Sequence, residues 1–134
     1  MRLEDTKIMI FKFNFKKVKT YNYIDEGTGK PLVLLHGLMG GLSNFDDMVE
    51  FFSSRGYRVI VPQLPIYELS VLNTNLTALA KYVAKLIDEY IKEPVTIVGN
   101  SMGGHIGLII TTIRPDLVDK LVLTGSSGLY ERTF

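Results

Sequence analysis

The sequence has no cysteine among its 134 residues. That excludes a disulfide framework and a thiolate metal site. It has almost no excess charge of either sign, with a formal net charge of +1. Neither nucleic-acid binding nor strong attraction to a membrane surface follows from such a balance. No apolar run approaches the ~20 residues that a membrane span needs. The opening Met1 to Lys7 is charged and leads into no apolar core of the kind a secretory signal has. These absences point to a protein of the cytoplasm. Histidine is scarce too: His36 and His105 are far apart with no convergent carboxylate, a poor metal set. No metal and no cofactor is expected. No G-x-G-x-x-G follows any apolar run, which argues against a dinucleotide-binding protein. Gly27-Thr28-Gly29-Lys30 faintly suggests a phosphate loop. It precedes a strand, however, and Pro31 stands where Ser or Thr would bind magnesium. Repeats, linkers and low-complexity stretches are missing as well. A single domain over residues 1–134 is expected, burying roughly two thirds of its unfolded surface.

What is present centres on residues 95–110. Val95 to Val98 is β-branched and apolar, as a central strand should be. Gly99-Asn100-Ser101-Met102-Gly103 follows at once and fits G-x-S-x-G, the pattern of a nucleophile elbow. Gly99 and Gly103 flank the serine where a side chain would meet a neighbouring strand or helix. An apolar stretch with no breaker runs from Met102 to Ile113, and Arg114-Pro115 stops it. Ser101 would therefore stand at the positive end of a helix, where outward N–H groups can hold an oxyanion. The pentapeptide alone is also a common turn. The strand before it and the helix after it distinguish the two readings.

The rest of the chain supplies a sheet. Ile8 to Val18 alternates, with Phe11, Phe13 and Phe15 on one face and Lys12, Asn14 and Lys16 on the other. That is a half-buried antiparallel strand whose lysines form a solvated face and discourage edge pairing. Thr20 to Asp25 is a second strand, with Tyr21 and Tyr23 sharing a face. Leu32 to Leu35 is wholly apolar, as a central parallel strand is. The glycine-rich His36 to Gly41 follows and puts exposed backbone N–H groups at a strand's carboxyl end. Ser43 is a candidate cap for a helix carrying Phe45, Met48, Val49 and Phe52, which Gly56 can end. Tyr57 to Val61 is a strand and Pro62 to Tyr67 a loop. Asn73 to Asn75 offer a cap for a long helix with Leu76, Leu79, Val83, Leu86 and Tyr90 inward. Leu117 to Thr124 is a last strand, with residues 125–134 its loop. The expected fold class is α/β: a mostly parallel six-stranded sheet, antiparallel first strands, helices on both faces.

His36-Gly37-Leu38-Met39-Gly40 after the third strand and Gly99-Asn100-Ser101-Met102-Gly103-Gly104 after the fifth, in this order of elements, resemble the α/β-hydrolase superfamily. The resemblance covers nearly the whole chain. It implies that Ser101 is the nucleophile and that the backbone N–H groups of Leu38 and Met102 form an oxyanion hole. Removing one such donor typically costs ~3 kcal/mol of transition-state stabilisation. Asn100 in the elbow is similar to that of carbon–carbon bond hydrolases acting on ring-cleavage products, and of some esterases.

The departures from the family pattern shape the functional expectation. The family's acid and histidine follow the serine, in the order Ser, Asp or Glu, His. They lie beyond strands that this chain does not reach, so the chain resembles the N-terminal half of a hydrolase, a truncated α/β-hydrolase fold. The loop after the fourth strand reads Gln63-Leu64-Pro65-Ile66 where the family usually has an Asp and glycines. Two histidines remain as internal candidates. His36 is placed to brace the oxyanion loop. His105, one turn into the elbow helix, is either a base or a residue of the helix–sheet packing surface. Glu131 and Asp119 are candidate acids, with a solvated surface role as the plainer reading of each. The expectation is a serine hydrolase acting on a small ester or acyl substrate, or on a carbon–carbon bond, and catalytically incomplete by itself. A non-catalytic binding module of the same fold is the alternative. Leu121 to Leu123 would form an exposed apolar edge, favouring self-association or docking of a complementing fragment.

Overall fold

The computed structural model describes residues 13–37, 45–66 and 75–129. Six strands form one sheet: β1 (Phe15–Val18), β2 (Tyr21–Glu26), β3 (Lys30–Leu35), β4 (Tyr57–Pro62), β5 (Val95–Asn100) and β6 (Val118–Thr124). Helix α1 (Asp46–Ser53) joins β3 to β4, α2 (Leu76–Leu86) precedes β5, and α3 (Met102–Ile113) joins β5 to β6. The strand order is β1-β2-β4-β3-β5-β6. β1 pairs antiparallel with β2, and β2 with β4; β4, β3, β5 and β6 run parallel. From β3 the chain goes first to one side, into β4, and then to the other, into β5. The sheet's topological switch point therefore lies between the carboxyl ends of β3 and β5, where open α/β sheets take their ligands.

β3 shows why these strands are central. Val33 and Leu35 face one way, into a core with Leu79, Val83, Ile97, Ile106 and Ile110 of the α2–α3 face. Leu32 and Leu34 face the other way, into a second core with Phe45, Val49, Val59 and Val98 of the α1 face. A strand covered on both sides has to be apolar at every position, unlike the alternating β1. Tyr21 and Tyr23 do share a face and are buried on the α2–α3 side, while Phe13 and Phe15 pack on the α1 side.

Several boundaries differ from the sequence reading. The first described strand begins at Phe15; Phe11 and Lys12 lie outside the described residues. Ser43 also lies outside them. The N-cap of α1 is Phe45, which makes no side-chain cap, so Ser43 does not cap this helix. Asp46 and Asp47 in its first turn interact favourably with the helix dipole instead. Asn75 does cap α2, its Oδ1 accepting from the Ala78 N–H at 2.7 Å. α2 continues into a π turn, Ile87–Ile91, which closes on Lys92 in the left-handed conformation. β6 starts at Val118, because Pro115–Leu117 forms a 3₁₀ turn. Arg114, held at φ −138° before the proline, ends α3 where the sequence places the end.

A polar cluster ties β1, β2 and β4 together. The Asp25 side chain is 4% exposed. It accepts from Lys16 Nζ and, through two bonds, from Arg58 Nε at 2.9 Å and Nη2 at 2.8 Å. Burial pushes the Asp25 carboxyl up, but the hydrogen bonds and charges of Arg58 and Lys16 outweigh it and hold the group below the usual carboxylate range. A pKa lowered in the folded state contributes stability that is fully present above the unfolded value. That contribution disappears as pH falls through the folded value. Stability should therefore drop below about pH 4. Asp25→Asn should cost about 2 kcal/mol at neutral pH and flatten that acid limb. Urea midpoints of both proteins from pH 2 to pH 7 would show it. An unchanged acid limb in the variant would remove Asp25 from the account.

Candidate active site

Ser101 is an exposed residue at the tip of the turn between β5 and α3. Its backbone stands at φ 53°, ψ −118°. Lys92 also has positive φ, but with ψ 26° it sits near the ordinary left-handed helical well. Ser101 does not. Its angles are those of a first turn position normally given to glycine, and such strain persists only where the surroundings impose it.

Those surroundings are specific. Ser101 N donates to Thr124 O at 3.2 Å. Ser101 O accepts from Gly104 N at 3.1 Å, His105 N at 3.4 Å and Ser127 N at 3.3 Å. The flanking glycines leave no room for side chains. A Cβ on Gly103 would stand 2.1 Å from Leu35 O, and one on Gly99 would stand 2.5 Å from Gly103 O. The turn is thus wedged between β3 and the start of α3. No side chain caps the amino end of α3.

β3 delivers a second loop to the same place. Leu35 is in register with Gly99, so His36-Gly37 leave the sheet beside Asn100-Ser101. Gly37 lies over the serine: a Cβ there would stand 3.1 Å from Ser101 Cβ and 3.6 Å from its Oγ. His36 is buried, with both ring nitrogens engaged away from the serine. Nδ1–H donates to Gly37 O at 2.9 Å, and Nε2 accepts from Leu64 N–H at 3.4 Å. The unusual loop after β4 therefore packs through Leu64, which is buried, onto the imidazole.

The remaining candidates fall in three groups. The ring of His105 turns to the loop after β6, where its Nδ1 is 3.4 Å from Ser127 Oγ. Among the described residues, neither histidine ring hydrogen-bonds to Ser101 Oγ. Asp119 lies at the start of β6, five residues before the end that reaches Ser101, and pairs with Lys120 at 2.8 Å. It is too far along the strand to serve as an acid there. Leu38 and Glu131 lie outside the described residues. Among the described residues no cluster of His, Asp or Glu could hold a metal ion, and no helix is long and apolar enough to cross a membrane. A cleft of about 610 Å³ beside Lys16, Asp25 and Arg58 lies at the opposite end of the sheet, where β3 and β4 begin. Its buried carboxylate is already satisfied by the two cations.

Sequence reasoning passes over the loop after β6. Thr124 accepts from the Ser101 amide, and its Oγ1 lies 3.4 Å from both Gly99 O and Asn100 Oδ1. Ser126 crowds Gly104. The signal was available in the topology. A parallel strand after the elbow helix pairs with β5 and so ends beside the elbow.

Comparison with known proteins agrees with this arrangement. Residues 30–132 match the family model of the alpha/beta hydrolase fold. The chain is 40% identical over 112 residues to a 2-hydroxy-6-oxononadienedioate/2-hydroxy-6-oxononatrienedioate hydrolase of Paraburkholderia phymatum, covering 78% of this chain and 39% of that protein. It is 30% identical over 118 residues to the (E)-2-((N-methylformamido)methylene)succinate hydrolase of Acinetobacter baylyi, covering 86% and 44% respectively. The chain thus spans about two fifths of the length of these curated relatives. Among solved structures, MGS-MChE2, an alpha/beta hydrolase enzyme from the metagenome of lagoon sediments at Mar Chica, Morocco, superposes with a TM-score of 0.83 at 46% identity. That match covers 88% of this chain and 54% of MGS-MChE2. The epoxide hydrolase VrEH1 from Vigna radiata shares the fold at TM-score 0.79 and 22% identity, over 85% of this chain and 40% of its own. By its family model, its sheet and its elbow-bearing sequence relatives, the chain belongs to the alpha/beta hydrolase fold family.

Proposed function

We propose that this chain carries the nucleophile half of a serine hydrolase. Ser101 Oγ attacks the carbonyl carbon of a carboxylic ester, or of a related acyl or carbon–carbon bond. The carbonyl oxygen becomes an oxyanion held by the N–H groups of Met102 and Leu38. The leaving group departs with a proton, and water hydrolyses the acyl-enzyme. The observation that carries this reading is the strained, exposed serine with Gly37 directly over it. A glycine there leaves space above the hydroxyl for a planar carbonyl, and His36 braces that loop from behind. The printed names of the curated relatives suggest a small substrate bearing carboxylates. The histidine that activates Ser101 comes from outside the two in this chain. Without such a base, serine is a weak nucleophile at neutral pH.

The engagement of both histidine rings elsewhere favours one alternative, a non-catalytic binding module. A fluorophosphonate probe followed by intact mass separates the two. The chain mixed with the C-terminal half of a relative should gain one adduct on Ser101, and Ser101→Ala should gain none. Failure to label under either condition would favour the binding module.

The open side of β6 supports a partner. Among the described residues β6 pairs only with β5 and sits at the sheet's edge, with Val122 45% exposed. Unpaired N–H and C=O groups along an apolar edge template another strand. Self-association or capture of a complementing fragment is therefore expected. Light scattering from the chain alone at increasing concentration should show dimers or larger species. A strict monomer at millimolar concentration would leave only the fragment.

A further inference from the structure

We propose that His105 is a positioning residue for the elbow: with Ser127 and Gly128 it forms a clasp that holds Ser101 in its strained turn. The argument starts from the Ser101 backbone. Both of its polar groups are tied to the segment after β6, the N–H to Thr124 O and the carbonyl to Ser127 N–H. That segment is a loop of small, largely exposed residues, Gly125 to Gly128, with positive φ at both glycines. It has little apolar burial of its own to fix its path. The imidazole of His105 provides the missing template. Gly128 lies flat on the ring, since a Cβ there would stand 2.7 to 2.9 Å from Cδ2, Cγ and Nε2. Ser127 Oγ is within 3.4 Å of Nδ1. His105 itself is anchored on α3, one turn below the elbow, by its N–H to Ser101 O. The ring is therefore fixed to the same helix whose first turn it helps to shape. It sets the height of the loop, and the loop sets the Ser101 carbonyl. This role explains why a half-buried histidine on the elbow helix faces away from the hydroxyl.

The inference rests on the proposed hydrolase reading only for its rate measurement. Amide exchange by NMR and the second-order rate of phosphonylation at Ser101 test it together, on the full chain with the complementing half present. Three variants suffice: His105→Ala, Ser127→Ala, and His105→Asn, which keeps a hydrogen-bonding atom near the place of Nδ1. His105→Ala should speed exchange of the Ser101 and Ser127 amides tenfold or more, with the Ile97 amide of β5 unchanged. The phosphonylation rate should fall by a similar factor. Ser127→Ala should move both in the same direction by a smaller factor, and His105→Asn should recover part of the loss. Ser101 and Ser127 amides that exchange as in wild type in both alanine variants would overturn the clasp. Equal losses in His105→Asn and His105→Ala would overturn the part assigned to Nδ1. A wild-type chain that exchanges as expected but never labels would refute the hydrolase reading alone, and the exchange rates would still decide the clasp.

Discussion

Gly103→Ala is expected to destabilise the protein by about 3 kcal/mol or more, the upper range for overpacking a well-filled site. The new Cβ would stand 2.1 Å from Leu35 O, 2.5 Å from Leu35 C and 2.8 Å from His36 O. All three are backbone atoms of β3 and its exit. They cannot step aside as the end of a side chain can, because Leu32 to Leu35 are paired to β4 and β5 on both sides. Relief requires α3 to lift off the sheet, and with it Ile106 and Ile110 from the core they share with Ile97. Small domains hold a total of only about 5–15 kcal/mol, so the variant should be marginal at 37 °C. Gly107→Ala on the same helix is the control. Its Cβ would meet Leu121 Cδ1 at 2.8 Å and Ile97 Cγ2 at 3.3 Å. The first is the tip of a partly buried, flexible side chain, and alanine gains up to about 1 kcal/mol of helix propensity over glycine. It should fall within about 1 kcal/mol of wild type. Urea unfolding of the three proteins gives both numbers. A Gly103→Ala midpoint close to that of Gly107→Ala would mean that α3 and β3 are not in the close contact described.

How much of this could be read from the sequence follows from the range of each interaction. α3 is legible to the residue, because Ser101-Met102 starts an unbroken apolar stretch and Pro115 acts on its immediate neighbour. The central strands are legible because burial on both faces makes Leu32 to Leu35 and Val95 to Val98 apolar without alternation. The cap on α2 is local too, three residues from acceptor to donor. The cap on α1 is not legible: Ser43 has the right chemistry, but the helix begins only at Asp46. The π turn at Ile87–Ile91 leaves the apolar spacing almost undisturbed, so nothing flags it. The Asp25 cluster joins residues 16, 25 and 58, and no motif links three such positions. The candidate site divides in the same way. Gly37 and Ser101 lie in glycine-marked loops whose spacing announces them. Their contact, and the grip of the Thr124–Ser127 segment on the elbow, arise only once β3, β5 and β6 are set side by side.

Ser101→Gly should make the protein more stable and, on the proposed function, chemically inert. At φ 53° and ψ −118° a serine side chain is strained, at an expense of order 1–3 kcal/mol. Glycine adopts these angles freely, although its more flexible unfolded chain offsets roughly 0.5–1 kcal/mol of the gain. A net stabilisation of about 1 kcal/mol is expected. Ser101→Ala keeps the Cβ and so keeps the strain, and its stability should stay near that of wild type. Both variants lack Oγ. Neither should take up a fluorophosphonate, and any hydrolysis by the complemented protein should fall by a factor on the order of a million. The pair separates two reasons for a strained residue in this position. If alanine and glycine are equally inert but only glycine stabilises, the strain belongs to the backbone and is tolerated because the turn presents a hydroxyl. If glycine brings no stability, the surrounding bonds from Thr124, Gly104 and Ser127 have made the turn the preferred conformation, and the strain account fails. If hydrolysis survives in either variant, the reacting group is not Ser101, whatever the turn contributes.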